Sequence, residues 1–98
     1  MHFTYDKEND TLHMTLHGRL DTTTSPLLEN YFKENLEGIT ELSLDFEHLD
    51  YISSAGLRVI LGAQKVMSKQ GSMVIRNVSA EIMEVFEITG FSSILTIE

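Results

Sequence analysis

The sequence predicts an α/β domain in which a mostly parallel, mixed sheet is packed by helices, with elements in the order ββαβαβαβ. Three observations carry this. Short segments with apolar residues at every second position alternate with longer segments whose apolar residues recur every three or four. Serine stands at the head of each longer segment, and glycine follows its end. Strands that alternate with helices need crossover connections, and right-handed crossovers join parallel neighbours in one compact sheet.

Taken in order, residues 2–6 read as a short strand. In residues 11–17, Leu12, Met14 and Leu16 point to one side while Thr11, His13, Thr15 and His17 point to the other, the period of a half-buried strand. Glu8-Asn9-Asp10 supplies the turn of a hairpin. Ser25-Pro26 reads as an N-cap followed by proline at the first helical position, and Leu28, Tyr31, Phe32 and Leu36 place a helix at 25–36, with Gly38 beyond it. Leu42, Leu44 and Phe46 give a strand at 41–46, and Leu49, Tyr51 and Ile52 carry the apolar content on to Ser53-Ser54. The second helix follows. Leu57, Ile60, Leu61, Gln64 and Met67 share its inner face, with Val59, Ala63 and Val66 beside them, and Lys69-Gln70-Gly71 closes it. Met73-Val74-Ile75 is a strand, Ser79 caps a third helix that Gly90 ends, and residues 94–97 read as a last strand. Met14, Met67, Met73 and Met83 fall at periodic positions and read as packing.

The 98 residues suit one domain, 1–98, with a single modest core. There is no cysteine, which excludes disulfides and thiolate metal sites. The N-terminal stretch has neither a basic region nor an apolar run, so no signal peptide is expected. No apolar stretch approaches the roughly 18 residues of a membrane helix, and a soluble, cytoplasmic protein is expected. The net charge of −8 argues against nucleic acid and anionic membranes and toward a basic partner. His13 and His17 share a strand face, but no third ligand accompanies them, so they read as solvated positions and no metal is expected. Asn77-Val78-Ser79 matches a glycosylation acceptor, but Ser79 is better explained as a helix cap.

The most informative stretch is Asp50-Tyr51-Ile52-Ser53-Ser54-Ala55-Gly56-Leu57-Arg58, which runs from a strand end into a helix start. Ligands and partners of open α/β sheets meet the carboxyl ends of strands. A helix N-terminus adds unpaired N–H groups and partial positive charge. Ser53 or Ser54 can therefore serve as a plain N-cap, or as a phosphorylation site whose added charge the helix tolerates but a docked partner does not. A serine nucleophile is the third reading. Residues 52–56 match half of the G-x-S-x-G elbow, but the first glycine is missing and no His follows Ser54, the last being His48.

Ile52-Ser53-Ser54-Ala55-Gly56-Leu57-Arg58-Val59-Ile60-Leu61 resembles the D-S-[ST]-G-L-x-x-[LI]-L signature of STAS domains, and specifically of the bacterial anti-sigma factor antagonists. Gly18-Arg19-Leu20-Asp21 resembles the family's G-x-L-D at the end of its second strand. Leu42-Ser43-Leu44-Asp45-Phe46 resembles its central strand, and Ile88-Thr89-Gly90-Phe91 its late glycine turn. The resemblance covers essentially the whole chain in one register.

The resemblance implies a STAS-like fold and a partner switch without enzymatic activity or cofactor. The unphosphorylated protein binds an anti-sigma factor that is also an ATP-dependent serine kinase, and so frees a sigma factor. Phosphorylation two positions before the motif glycine, here at Ser54, blocks binding, and a serine phosphatase restores it. It also implies a docking surface of Asp21, Thr22, Ser53, Ala55, Gly56 and Arg58. The chain departs from the usual pattern at Ser53, where the family often has aspartate, and at Ala55, where it often has serine or threonine. The alternative is a STAS interaction module of another signalling or transport assembly that docks through the same loop without being phosphorylated.

Overall fold

The computed structural model describes residues Met1–Glu98. Strand β1 (His2–Glu8) turns at Asn9, whose φ is +57°, into β2 (Thr11–Leu20). Helix α1 (Ser25–Asn35), strand β3 (Glu41–Ile52), helix α2 (Ser54–Gln70), strand β4 (Ser72–Arg76) and helix α3 (Ala80–Thr89) follow. The sheet order is β1-β2-β3-β4, with β1 antiparallel to β2 and the β2–β3 and β3–β4 pairs parallel. One face of the sheet carries the core. Leu12, Met14, Leu16, Leu42, Leu44, Phe46, Met73 and Ile75 join Leu28 and Phe32 of α1, Ile60 and Met67 of α2, and Ile82 and Phe86 of α3 in one buried cluster.

Strand β3 is twice the length that its strict alternation predicts. Its buried residues Phe46, Leu49 and Ile52 are spaced by three, not two. The ladder explains this: Thr15 pairs Asp45 while His17 pairs His48, and Gly18 pairs Leu49 while Arg19 pairs Tyr51. At each of these two steps β3 carries one more residue than β2. Each bulge flips the side-chain alternation and returns an apolar residue to the core.

The expected strand at 94–97 is not formed. Its only sheet contact is a single parallel bridge between Ile75 and Ile97. The chain leaves α3 through Gly90 (φ +81°) into a short 3₁₀ turn, Phe91–Ser93, and the amides of Ile94 and Leu95 both donate to the Phe91 carbonyl. These turns bury Leu95 and leave Ile94 57% exposed, so the apolar run serves as a plug rather than an edge strand. Val66, expected beside the inner face of α2, is 42% exposed.

On the open face of the sheet, His2, His17 and His48 are cross-strand neighbours. Their rings stack at 4.4 Å and 4.9 Å between centroids. Desolvation, then the neighbouring His2 and His48, lower the pKa of His17, while Asp45 opposes the shift. The folded chain therefore binds fewer protons here than the unfolded one. The stabilisation is complete above the unfolded value of about 6.5 and is lost progressively as pH falls below it. Urea unfolding at pH 7.5 and 5.5 is expected to show a fall in stability that is smaller in His17→Gln.

Candidate functional site at the carboxyl ends of β2 and β3

Strands β2 and β3 end side by side. Leu20 pairs Ile52, and the Ser53 amide donates to the Leu20 carbonyl at 2.9 Å. The β2–α1 loop and the start of α2 are thereby adjacent, which brings Asp21 and Thr22 beside the serine segment.

The two serines separate by role. Ser53 has extended backbone angles and is the N-cap of α2, its hydroxyl accepting from the Gly56 amide at 3.2 Å. Its carbonyl accepts from the Leu57 amide at 2.9 Å. Ser54 is the first helical residue and is exposed. Capping is done by its neighbour, so the Ser54 hydroxyl faces solvent at the positive end of a 17-residue helix.

Gly56 is buried and fixes this turn. A Cβ at this position would lie 2.8 Å from both Cγ and the carbonyl oxygen of Leu20 and 3.0 Å from Cγ1 of Ile52. Only a residue without a side chain lets the first turn of α2 seat on the ends of both strands. The glycine of the serine motif is thus a packing requirement that holds Ser54 two residues away.

The β2–α1 loop is organised by Asp21. Its Oδ1 accepts from the amides of Thr23 and Thr24 at 3.0 and 3.1 Å and from the Thr23 hydroxyl at 2.8 Å. The Thr23 hydroxyl bond, aided by the bonds from Thr24, keeps the carboxyl below its ordinary pKa against a smaller opposing effect of desolvation. Its contribution to stability is present at neutral pH and lost as pH falls through the carboxylate range. Arg19 sits 3.8 Å from Asp21 Oδ2 and lies over the Tyr51 ring at 4.1 Å. No local signal in the sequence marks this Arg19–Tyr51 stack, because the pair is created by the second bulge of β3.

Ser25 is not the N-cap of α1. Thr24 holds the cap position without a side-chain cap bond, and Pro26 lies in the first turn. The Asp21 carboxylate has already taken the donors of this turn, so Ser25 becomes the first helical residue, buried, with its hydroxyl donating to the Asp21 carbonyl.

Thr22, Ser25, Pro26, Ala55 and Arg58 line a shallow hollow of about 160 Å³ between the loop and α2. Of the residues expected to form a docking surface, Thr22, Ala55 and Arg58 therefore share one concavity. Asp21, Ser53 and Gly56 do not line it: Asp21 orders the loop, and Ser53 and Gly56 order the start of α2. All four histidines lie on β1, β2 and β3, and no helix is long and apolar enough to cross a membrane.

Residues 2–98 match the model of the STAS domain. The chain belongs to the STAS domain family. This STAS domain is 37% identical to BtrV of Bordetella bronchiseptica over 99% of its length and 85% of that protein. It is 31% identical to the anti-sigma-B factor antagonist of Bacillus subtilis, over 92% of this chain and 83% of that one. Its fold superposes on the anti-sigma factor antagonist SpoIIAA in its unphosphorylated form with a TM-score of 0.78 at 19% identity, covering 99% of this chain and 87% of that one. The phosphorylated form of SpoIIAA superposes equally well, with a TM-score of 0.77. The likeness to SpoIIAA is one of fold. The curated relatives place this STAS domain among the anti-sigma factor antagonists.

Proposed function

We propose that this STAS domain is a phosphorylation-controlled partner switch. Unphosphorylated, it binds an anti-sigma factor that is also a serine kinase, and a sigma factor is released. The observation that carries this reading is the division of labour at the head of α2. Ser53 caps, Gly56 anchors, and the Ser54 hydroxyl is exposed. The similarity to anti-sigma-B factor antagonists supports it.

In the transfer step the Ser54 oxygen attacks the γ-phosphorus of ATP held with Mg²⁺ by the kinase. The bond to the β-bridging oxygen breaks, ADP leaves, and the hydroxyl proton passes to a base of the kinase. This chain is the acceptor, not the catalyst. The phosphate brings about −1.5 to −2 charges to a helix start whose Ser54 and Ala55 amides precede the first capped donor, Gly56. The helix tolerates that charge. A partner packed over Thr22, Ala55 and Arg58 does not, because it would have to desolvate the phosphate against its own surface. A serine phosphatase resets the switch, and the whole cycle runs in the cytoplasm.

The test is displacement. Added to a complex of anti-sigma kinase and sigma factor, the unmodified chain is expected to free the sigma factor, and the phosphorylated chain is not. Tight binding to a partner without any kinase domain, with the sigma complex left intact, would instead favour the unphosphorylated interaction module.

A further inference from the structure

Helices α1 and α2 leave an apolar groove between them that the serine loop does not use. It encloses about 400 Å³. Phe32 of α1, Leu36 just beyond its end, and Val59 and Ala63 of α2 form its buried floor, and Val66 stands 42% exposed in it. Gly62 opens it: nothing lies within 4 Å of where its Cβ would be. Both helices follow parallel strands, so their N-termini lie at the same end. At that end Glu29, Arg58 and Val59 line both this groove and the hollow beside Thr22 and Ala55. At the other end the Gln70 amide, bonded to the Leu36 and Ile39 carbonyls, closes it. The trough thus runs from the Ser54 loop along α2 for roughly 18 Å at 1.5 Å per residue.

The charges on its rim give it a polarity. Glu29 and Lys33 pair with each other at 4.0 Å. The other ion pairs of the chain are Arg19–Asp21 and Arg76–Glu98, which leaves Arg58 without a partner at the serine end and Glu37 without one at the far end. We infer that this groove receives an amphipathic helix of about three turns from the same kinase that acts on Ser54. The helix presents apolar residues at i, i+3/i+4 and i+7 to Phe32, Gly62 and Val66, a carboxylate to Arg58 and a basic residue to Glu37. This inference rests on the partner-switch reading and deepens it. The serine loop carries the switch, and the groove carries the hold and the orientation.

Gly62→Leu fills the groove from an exposed helical position, so the thermal midpoint is expected to stay level or rise. The probe is the anti-sigma kinase that phosphorylates the wild-type chain. Gly62→Leu is expected to raise its Kd and its KM for the chain at least tenfold with kcat within twofold. Glu37→Lys, far from Ser54, is expected to raise KM at least threefold. Wild-type values for both variants overturn the groove proposal and leave the switch standing. A wild-type chain that binds no kinase overturns both. Loss of self-association in Gly62→Leu with kinase binding intact places a second copy of this chain in the groove and overturns the proposal.

Discussion

Gly56→Ala is expected to destabilise the chain by about 2–3 kcal/mol, the upper part of the range for overpacking a tight core. In a helix the same exchange otherwise gains up to about 1 kcal/mol. Here the added Cβ would sit 2.8 Å from the Leu20 carbonyl oxygen, a backbone atom of β2 that cannot turn aside, so steric conflict outweighs propensity. With about 4–8 °C per kcal/mol for a domain of this size, the midpoint should fall by roughly 8–24 °C. Gly62→Ala, on the same helix with open space around it, should hold or raise the midpoint. Thermal unfolding of the pair separates packing from propensity. Equal midpoints would mean that α2 does not seat on the strand ends as described.

Ser54→Asp is expected to weaken binding of the anti-sigma kinase by about a hundredfold, equivalent to roughly 2.8 kcal/mol, while leaving the fold intact. A carboxylate in the first turn of a helix gains about 0.3–1 kcal/mol from the dipole, and Ser54 is exposed without a capping duty to lose. Ser54→Ala should bind as the wild type but resist switching. Isothermal titration of the three proteins, with circular dichroism to show equal folding, checks this. Ser54→Asp binding at wild-type affinity would remove electrostatic exclusion as the basis of the switch.

Much of this architecture is legible in the sequence because the local signals agree with one another. Ser79 and Gly90 bracket α3 as expected, and the Asn9 turn, the α1–β3–α2–β4 succession and the parallel sheet all follow from periodicity and punctuation. What the sequence hides depends on neighbours. The length of β3 was masked because two bulges break the alternation that identifies strands. Ser25 carried a cap signature, yet a carboxylate four residues earlier satisfies that turn. Residues 94–97 have strand-like side chains, but the turns after Gly90 direct Leu95 inward and leave Ile94 outside.

The site divides in the same way. The spacing of Ser54 and Gly56 marks the loop, and family register singled out Ser54. What separates the two serines is three-dimensional: the Ser53 hydroxyl accepts from the Gly56 amide, while Ser54 is exposed. The groove had no sequence signal, since Val66 reads as an ordinary member of a buried helix until α1 is placed beside it.

The proposed switch stands or falls with Ser54 as the phosphate acceptor. The direct measurement is the intact mass of the chain after incubation with its anti-sigma kinase and Mg-ATP, followed by peptide mapping. A gain of one phosphate, about 80 Da, located at Ser54 and absent from Ser54→Ala, is expected. A phosphate on Ser53, or no gain in mass from a kinase that binds the chain tightly, would contradict it.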